Sequence, residues 1–313
     1  MLAHLETLHL QENNLNGSIP KEIGNLTFLS ELALYDNSLE GELPPTLGKL
    51  RNLTHLFLDR NKLSGQIAPN IGNLKSLSIL HLFKNQLSGP IPVELGNSKS
   101  LTELELQENL LNGSIPSSLG SLKSLNILYF ENKLNGSIPS SFGKLKSLDF
   151  LNLFKNQLSG PFPNKLGNVK YLTDLDLFKN LLSGPIPNKL GNLKFLNGLG
   201  FHENRLIGLI PSSLGNLKYL NILFLYKNQF SGPINNELGN LKFLVKLDVS
   251  ENQLSGSIPS SLANLRSLNL LHLFNNQLYG PIPIRLGNLK SLTGMELQEN
   301  LLNGSIPSSL GNG

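Results

Sequence analysis

The chain has 313 residues, of which 39% are hydrophobic and 15% are charged, so it is too apolar for a disordered polymer. Its formal net charge of +4 is mild for this length, and its lack of cysteine excludes disulfides and thiolate metal sites. No apolar run approaches the ~18 residues that cross a bilayer. The first residues lack the basic and apolar segments of a signal peptide, so we expect none in this chain.

A unit of 24 residues with the pattern LxxLxLxxNxLxGxIPxxLGxLxx repeats along the chain. The thirteen copies begin at Leu5, Leu29, Leu53, Leu77, Leu101, Leu125, Leu148, Leu172, Leu196, Leu220, Leu244, Leu268 and Leu292. The copy that begins at Leu125 is one residue short, because a residue is missing before Asn132. No linker interrupts the series, so we predict a single repeat domain over residues 1–313, without terminal caps.

The columns of the repeat predict its elements in order. The first segment, LxxLxL, predicts a short strand whose leucines point inward, so that successive repeats form a parallel sheet. The thirteenth residue is always glycine, from Gly17 to Gly304, which predicts a backbone conformation or close approach that a side chain would block. Proline follows three residues later in eleven repeats and indicates an extended segment before a short helical turn.

An asparagine occupies the ninth position, which falls one residue earlier in the short repeat. Its amide can bond the backbone of its own turn and of the neighbouring repeat. We therefore predict a structural asparagine ladder. Its members are Asn13, Asn37, Asn61, Asn85, Asn109, Asn132, Asn156, Asn180, Asn204, Asn228, Asn252, Asn276 and Asn300.

These columns, above all LxGxIPxxLGxL, resemble the plant-specific class of leucine-rich repeats, from Leu2 to Asn312. That class occurs in the ectodomains of plant receptor-like kinases and in secreted relatives such as polygalacturonase-inhibiting proteins. The resemblance implies an α/β repeat solenoid, a right-handed superhelical arc with a parallel β-sheet on the concave face and short 3-10 or helical turns on the convex side. It also implies an extracellular or cell-surface location and a face that binds peptides, steroids, glycans or enzymes.

The sequence departs from that family at its ends. The family's cysteine-paired caps, and the membrane span and kinase of the receptors, have no counterpart in it. We therefore expect a natural fragment, a trimmed chain or a designed array.

Recognition residues are expected on the outer side of the strands, because the core columns repeat and cannot distinguish partners. Aromatic residues beside charged ones are frequent anchors of binding surfaces, and several occur in the fifth, seventh and eighth positions. The candidate ligand-binding residues are Phe83, Lys84, Phe154, Lys155, Phe178, Lys179, His202, Phe224, Tyr226 and Lys227. Two alternatives remain open: the aromatic rings serve stability alone, or block duplication copied the surface pattern, since similar motifs recur every four repeats.

Two further columns lie near the end of each repeat. The twenty-third position is basic in eleven consecutive repeats, from Arg51 to Lys290, and we interpret it as a solvated column in preference to a site for pectin-like polyanions or acidic lipid. The twenty-fourth position carries an aromatic run, for which we predict interior stacking. This run consists of Tyr171, Phe195, Tyr219 and Phe243.

Six sequons are candidates for N-glycosylation, and the NGS motif of the repeat generates four of them. They begin at Asn16, Asn25, Asn52, Asn112, Asn135 and Asn303.

No pattern of residues indicates an enzyme, a metal site or a cofactor. The six histidines show no metal-ligand spacing with carboxylates, and Glu103 and Glu105 suit a solvated ridge as well as a catalytic pair. No nucleic-acid-binding motif is present, so we expect no such partner, and we expect membrane association only through segments absent from this chain.

The sequence thus predicts a domain that binds a peptide or protein ligand. By resemblance, it would be a fragment of a plant receptor-like kinase ectodomain that senses a small secreted peptide, with a shorter leucine-rich-repeat kinase as co-receptor. One alternative is a secreted inhibitor of cell-wall polysaccharide hydrolases, similar to the polygalacturonase inhibitors. The other is a purely structural, designed or ice-binding array.

Overall fold

Every repeat folds into an inner strand, an outer strand and a 3-10 helix. The computed structural model describes residue 2 and residues 4–311. These fall into two compact units, Met1–Leu158 and Ser159–Gly313. The predicted single domain over 1–313 remains a prediction, and residues 1, 3, 312 and 313 lie outside the described residues.

The first unit contains the elements up to the start of β14. In chain order they are β1 (Thr7–His9), β2 (Asn16–Ser18), η1 (Lys21–Asn25), β3 (Glu31–Ala33), β4 (Ser38–Glu42), η2 (Pro45–Lys49), β5 (His55–Phe57), β6 (Lys62–Ser64), η3 (Pro69–Asn73), β7 (Ile79–His81), β8 (Ser88–Pro90), η4 (Val93–Asn97), β9 (Glu103–Glu105), β10 (Leu110–Ser114), η5 (Ser117–Ser121), β11 (Ile127–Tyr129), β12 (Lys133–Gly136), η6 (Ser140–Lys144), β13 (Phe150–Asn152) and β14 (Gln157–Pro161).

The second unit continues the same order of elements. They are η7 (Asn164–Asn168), β15 (Asp174–Asp176), β16 (Leu181–Gly184), η8 (Asn188–Asn192), β17 (Gly198–Gly200), β18 (Arg205–Gly208), η9 (Ser212–Asn216), β19 (Ile222–Phe224), β20 (Gln229–Pro233), η10 (Asn236–Asn240), β21 (Lys246–Asp248), β22 (Gln253–Gly256), η11 (Ser260–Asn264), β23 (Leu270–His272), β24 (Gln277–Pro281), η12 (Ile284–Asn288), β25 (Gly294–Glu296), β26 (Leu301–Asn303) and η13 (Ser308–Leu310).

The first strands of successive repeats pair in parallel and form an inner sheet in each unit. In the first unit the odd-numbered strands from β1 to β13 lie side by side in chain order. In the second unit the odd-numbered strands from β15 to β25 are arranged in the same way. Equivalent leucines lie opposite each other, as Leu32 does to Leu56 and Leu56 to Leu80. These leucines are fully buried, so the core lies behind the sheet and the predicted strand with inward leucines is confirmed.

A second parallel strand in each repeat is a feature that the sequence analysis missed. It covers the LxG segment, where Gly17 lies opposite Leu39 and Gly41 opposite Leu63. The glycine of the thirteenth position has a positive φ in every repeat, for example +77° at Gly17. Since that residue and the turn before it break the alternation of a regular strand, the pattern predicted only a bend.

The helical turn follows as predicted. Pro92, for instance, has φ −66° and ψ 135°, and its carbonyl accepts a hydrogen bond from the Leu95 amide at 3.2 Å. Proline supplies the fixed φ that the first turn of a helix requires. Each helix is a 3-10 turn of three to five residues. Equivalent helices pack so closely that a Cβ at Gly72 would collide with the backbone carbonyl of Glu94.

The eighth position of the repeat has a strained backbone. Twelve non-glycine residues there have φ between 47° and 56°, including Lys84, Lys179 and Lys227. An L-residue in this region costs about 1 kcal/mol, which the surrounding hydrogen bonds must offset. The amides concerned bond to the next repeat, as Arg60 N does to the Phe83 carbonyl at 2.9 Å. The short repeat has no eighth residue.

The ninth-position asparagines form hydrogen bonds within and between repeats. The Asn85 amide nitrogen donates to the carbonyls of Leu58 at 3.0 Å, Leu82 at 3.1 Å and Phe83 at 3.3 Å. The Asn85 side-chain oxygen accepts from the Leu63 amide at 2.9 Å. One side chain therefore satisfies backbone groups of two repeats that the bend would leave unpaired.

Candidate functional site

The surface of interest is the outer side of the inner sheet, formed by the third, fifth and seventh positions of the repeats, which we call the strand face. In the second unit three rings from consecutive seventh positions stack on it. Phe178 and His202 have centroids 4.5 Å apart at an interplanar angle of 7°, and His202 and Tyr226 are 4.4 Å apart at 22°. Parallel strands lie about 4.8 Å apart, which places equivalent rings in stacking contact. We call these three residues the aromatic stack.

Phe224 extends the aromatic stack at its side. Its ring meets His202 edge-on at 5.8 Å and Tyr226 at 6.1 Å. The sequence analysis placed these aromatics on the outer side of the strands, where Phe178, Phe224 and Tyr226 are half-buried and His202 is 8% exposed. The reason is that each ring covers the ring of the next repeat. A ligand would therefore meet a rigid apolar surface and not separate flexible side chains.

His202 is held in its neutral form by its surroundings. Burial lowers the pKa of His202 to about 4, although Glu203 and Asp248 act in the opposite direction. Its Nδ1 is buried and has no hydrogen-bond partner among the described residues. At neutral pH the centre of the aromatic stack is thus uncharged.

The pKa of Asp176 is shifted in the opposite direction to that of His202. This residue lies at the fifth position of its repeat, in strand β15. Its carboxyl group lies over Gly200, where a Cβ would collide with it. Because β17 offers glycine instead of a side chain, the carboxyl folds onto backbone and loses water. Burial raises the pKa of Asp176 to about 6, while a hydrogen bond from the Phe178 amide opposes the shift and Asp174 adds to it.

The predicted lysines lie at the strained eighth positions and are exposed. Three of them pair with acids: Lys84 with Glu108 at 3.6 Å, Lys155 with Glu131 at 2.8 Å and Lys227 with Glu251 at 3.7 Å. Each lysine side chain in these pairs is close to half exposed, so the pairs contribute little to stability. These lysines can exchange partners with a ligand at low cost.

The first unit has an aromatic cluster of its own. Phe57 contacts Tyr35 at 6.4 Å and His81 at 5.1 Å, and His81 contacts Phe83 at 5.8 Å. These residues line a cavity of about 470 Å³. Of the four, the sequence analysis selected only Phe83. The repeated tripeptide HLF at residues 55–57 and 81–83 was a signal for Phe57 and His81, whereas Tyr35 lies outside it.

Phe154 and Lys155 also belong to the first unit. The Lys155 ammonium lies 5.3 Å from the centre of the Phe154 ring, a cation–π distance.

The aromatic run at the twenty-fourth position is exposed, so the expected interior stacking is wrong. Tyr171, Phe195, Tyr219 and Phe243 are 51%, 43%, 54% and 55% exposed. They do stack on one another, with centroids 6.0 to 6.4 Å apart. The leucine that starts the next repeat fills the core position beside each ring. Leu172, for example, has no exposed surface. The preceding ring therefore points outward.

All six sequon asparagines, Asn16, Asn25, Asn52, Asn112, Asn135 and Asn303, are exposed. Their modification remains a prediction. In the part of the chain that the structure describes, no helix has the length and apolar character needed to cross a membrane.

Within the described part of the chain, one group of side chains has ligand atoms close enough for a metal ion. These are His81, Glu103 and Glu105 on the strand face of the first unit. The sequence analysis predicted no metal site, because the histidine and the acids lie in different repeats, 22 and 24 residues apart in the chain.

Sequence comparison identifies the repeat directly. A family profile described as "Leucine-rich repeat region" matches residues 1–113, and one described as "Leucine Rich Repeat" matches residues 171–193 and 243–265. No curated protein sequence gives a significant match.

Solved structures match nearly the whole chain. The plant peptide hormone receptor RGFR1 in complex with RGF2 is 38% identical with a TM-score of 0.92, over 99% of this chain and 54% of the receptor chain. The leucine-rich-repeat ectodomain of the Arabidopsis receptor kinase HAESA, in complex with an N-terminal extended IDA peptide hormone, is 36% identical with a TM-score of 0.84, over 99% and 56%. A leucine-rich-repeat protein of Leptospira interrogans is 32% identical with a TM-score of 0.72, over 99% and 82%.

The fold class is therefore the predicted α/β repeat solenoid with a parallel sheet and short 3-10 turns. The chain belongs to the leucine-rich-repeat family, and over nearly its whole length it resembles the ectodomains of plant receptor kinases. It spans a little more than half the length of the two plant receptor chains.

Proposed function

We propose that this chain is the ligand-binding part of a plant receptor-kinase ectodomain and that its strand face binds an extended secreted peptide. The observation that carries the proposal is the aromatic stack of Phe178, His202 and Tyr226, which offers a rigid apolar surface on the strand face. Among the receptors that match 99% of this chain, the plant peptide hormone receptor RGFR1 was solved with RGF2 and the HAESA ectodomain with an IDA peptide hormone. The role is binding and not catalysis.

The chemistry of the strand face in the second unit suggests what such a peptide carries. Asp176, Glu203, Asp248 and Glu251 all lie near enough to Tyr226 to raise its pKa, after the larger effect of burial. A peptide with an apolar side chain for the aromatic stack and a basic side chain for these acids is complementary to the surface. Lys179 and Lys227 would face acidic groups of the peptide at the rim.

Further parts of this proposal follow from the receptor assignment. The chain would be extracellular, with its exposed sequons open to glycosylation, and a shorter leucine-rich-repeat kinase would act as co-receptor. Phe83, Lys84, Phe154 and Lys155 are proposed ligand contacts within the first unit.

Panning a phage library of random ten-residue peptides against the protein tests the proposal, with the enriched peptides measured by titration calorimetry. The double substitution Phe178→Ala with Tyr226→Ala is expected to weaken binding by about 100-fold, since truncation of central aromatic anchors costs about 2–4 kcal/mol. It will also lower stability somewhat, because both rings cover His202.

The matched control is Tyr219→Ala with Phe243→Ala, which removes two exposed rings outside the strand face. This control is expected to leave peptide affinity unchanged. Loss of binding in the control variant alone, or no enrichment of any peptide, contradicts the proposed site.

A further inference from the structure

Three ligand-type side chains converge on the strand face of the first unit. His81 ends β7, and Glu103 and Glu105 lie at the two ends of β9, with His81 directly opposite Glu105 in the parallel register. Residues two apart in a strand point to the same side of the sheet, so both carboxylates share the face of the imidazole. His81 Nε2 lies 3.4 Å from Glu103 Oε2 and 3.9 Å from Glu105 Oε1.

The distances match the ligand shell of a small metal ion. Zn²⁺ binds imidazole nitrogen and carboxylate oxygen at about 2.0–2.2 Å, so two ligands at a tetrahedral angle lie about 3.4 Å apart. The three ligand atoms here lie within 4.8 Å of one another. A small rotation of the two flexible glutamate side chains places all three around one ion, and water completes the shell.

The imidazole nitrogen lies within ion-pair distance of both acids but forms a hydrogen bond with neither. His81 Nε2 is buried and forms no hydrogen bond among the described residues, although the Glu103 oxygen is only 3.4 Å away. The ring N–H direction therefore meets neither carboxylate. A buried polar atom without a partner requires an explanation, and an ion between the nitrogen and the two oxygens supplies one.

Neighbouring side chains hold the group in place. Gln107 Nε2 donates to Glu105 Oε2 at 3.0 Å, which leaves Glu105 Oε1 for the side of His81. The His81 ring packs against Phe57 at 5.1 Å and Phe83 at 5.8 Å. Such outer contacts fix ligand orientation in metal sites, and removing them typically weakens metal binding about 10- to 100-fold.

We propose that His81, Glu103 and Glu105 bind one divalent transition-metal ion, with Zn²⁺ as the best match. An imidazole with two carboxylates suits Zn²⁺ and its first-row neighbours, whereas Mg²⁺ and Ca²⁺ prefer all-oxygen sites. The ion links two successive repeats through β7 and β9, so binding stabilises the folded first unit. The site borders Phe83, a proposed ligand contact of the first unit, and shares no residue with the aromatic stack.

A second histidine of the same chain provides a matched control. His272 also lies between two acids, with Nδ1 3.2 Å from Asp248 Oδ2 and Nε2 3.7 Å from Glu296 Oε1. Its acids face opposite ring nitrogens, so one ion there could contact the ring and only one carboxylate. His272→Gln removes an acid-flanked histidine without touching the proposed site.

Titration calorimetry with zinc chloride, on metal-free protein without a histidine tag, tests the proposal. We expect one equivalent of Zn²⁺ to bind the wild type and His272→Gln alike and to raise the melting temperature of both. His81→Gln is expected to lose at least 100-fold in affinity, Gln107→Ala about 10-fold, and magnesium chloride is expected to give no binding signal. Should circular dichroism show that His81→Gln is unfolded, Glu103→Gln takes its place. Absence of saturable Zn²⁺ binding at one equivalent, or equal binding by the site variant and the wild type, overturns the proposal.

Discussion

At the scale of single residues, neighbours 24 positions away determine the chemistry of the strand face. His202 is an ordinary histidine in the sequence, yet Phe178 and Tyr226 from the adjacent repeats cover both faces of its ring. Asp176 is half-buried, and its carboxyl group loses water because Gly200 offers no side chain beneath it. Their pKa values are consequently displaced in opposite directions, to about 4 for His202 and about 6 for Asp176.

These two shifts predict opposing effects of pH on stability. Between pH 6.5 and 4 the unfolded state binds more protons at residue 202 than the folded state, so acidification through this range lowers the free energy of unfolding. Between pH 3.8 and 6 the folded state binds more protons at residue 176, so acidification raises it. Over its full pH range each contribution amounts to about 3 kcal/mol, of which about 2 kcal/mol falls between pH 7 and 4.5, and in the wild type the two largely cancel.

Single substitutions should expose each contribution. When the pH falls from 7 to 4.5, the free energy of unfolding of His202→Gln is expected to rise by about 2 kcal/mol relative to that of the wild type. For Asp176→Asn it is expected to fall by a similar amount. Urea unfolding at the two pH values measures this difference. The double variant serves as control, because it should follow the wild type. An unchanged pH dependence in His202→Gln would show that this histidine titrates normally in the folded protein.

At the scale of the elements, the short repeat shows what the eighth residue does. Asn132 still donates to the Leu106 carbonyl at 2.8 Å and accepts from the Leu111 amide at 3.0 Å. It forms none of the bonds to its own turn that Asn109 makes with the carbonyls of Leu106 and Gln107, as far as the described residues show. The strand before it keeps its register on both sides, with Leu128 opposite Leu104 and Leu151.

Restoring the missing residue should therefore stabilise the protein. An asparagine inserted between Glu131 and Asn132 can adopt the positive φ that Asn275 has at this position. The two regained hydrogen bonds, less the cost of the strained residue, should raise the free energy of unfolding by about 1 kcal/mol.

Urea unfolding of the insertion variant checks this expectation. The same insertion after Lys84, in a repeat of full length, is the control and should destabilise. Equal destabilisation by both insertions would mean that the turn at residue 131 has no vacant position to fill.

Some elements of the repeat could be predicted from the sequence alone and others could not. The leucine columns and the prolines predicted the inner strand and the 3-10 turn, because each depends on contacts that recur identically in every repeat. The outer strand escaped prediction, since the positive φ at residues such as Gly89 interrupts the alternating pattern. The cluster of His81 with two glutamates and the exposure of Tyr171 depend on side chains in neighbouring repeats. The pattern of a single repeat does not contain that information.

At the scale of the whole molecule, the continuity of the repeats predicts that residues 1–313 unfold as one domain. The repeat runs through the boundary at Leu158 and Ser159 without a linker or a change in composition. In arrays of this kind stability arises from each repeat and from its interface with the next, so a long uninterrupted series can unfold together. We expect a single calorimetric transition for the chain.

A substitution within the first unit tests this expectation. Asn85→Ala removes a buried amide with three donated and one accepted hydrogen bond, and should cost about 2–4 kcal/mol. If the chain unfolds as one, the variant shows a single transition at lower temperature, and hydrogen exchange accelerates in β19 and β21 of the second unit as well. Asn13→Ala is the control and should shift the transition much less, because Asn13 is exposed and its hydrogen bonds among the described residues stay within its own turn. Two separate transitions in Asn85→Ala, with exchange in β19 and β21 unchanged, would instead establish that the two units fold independently.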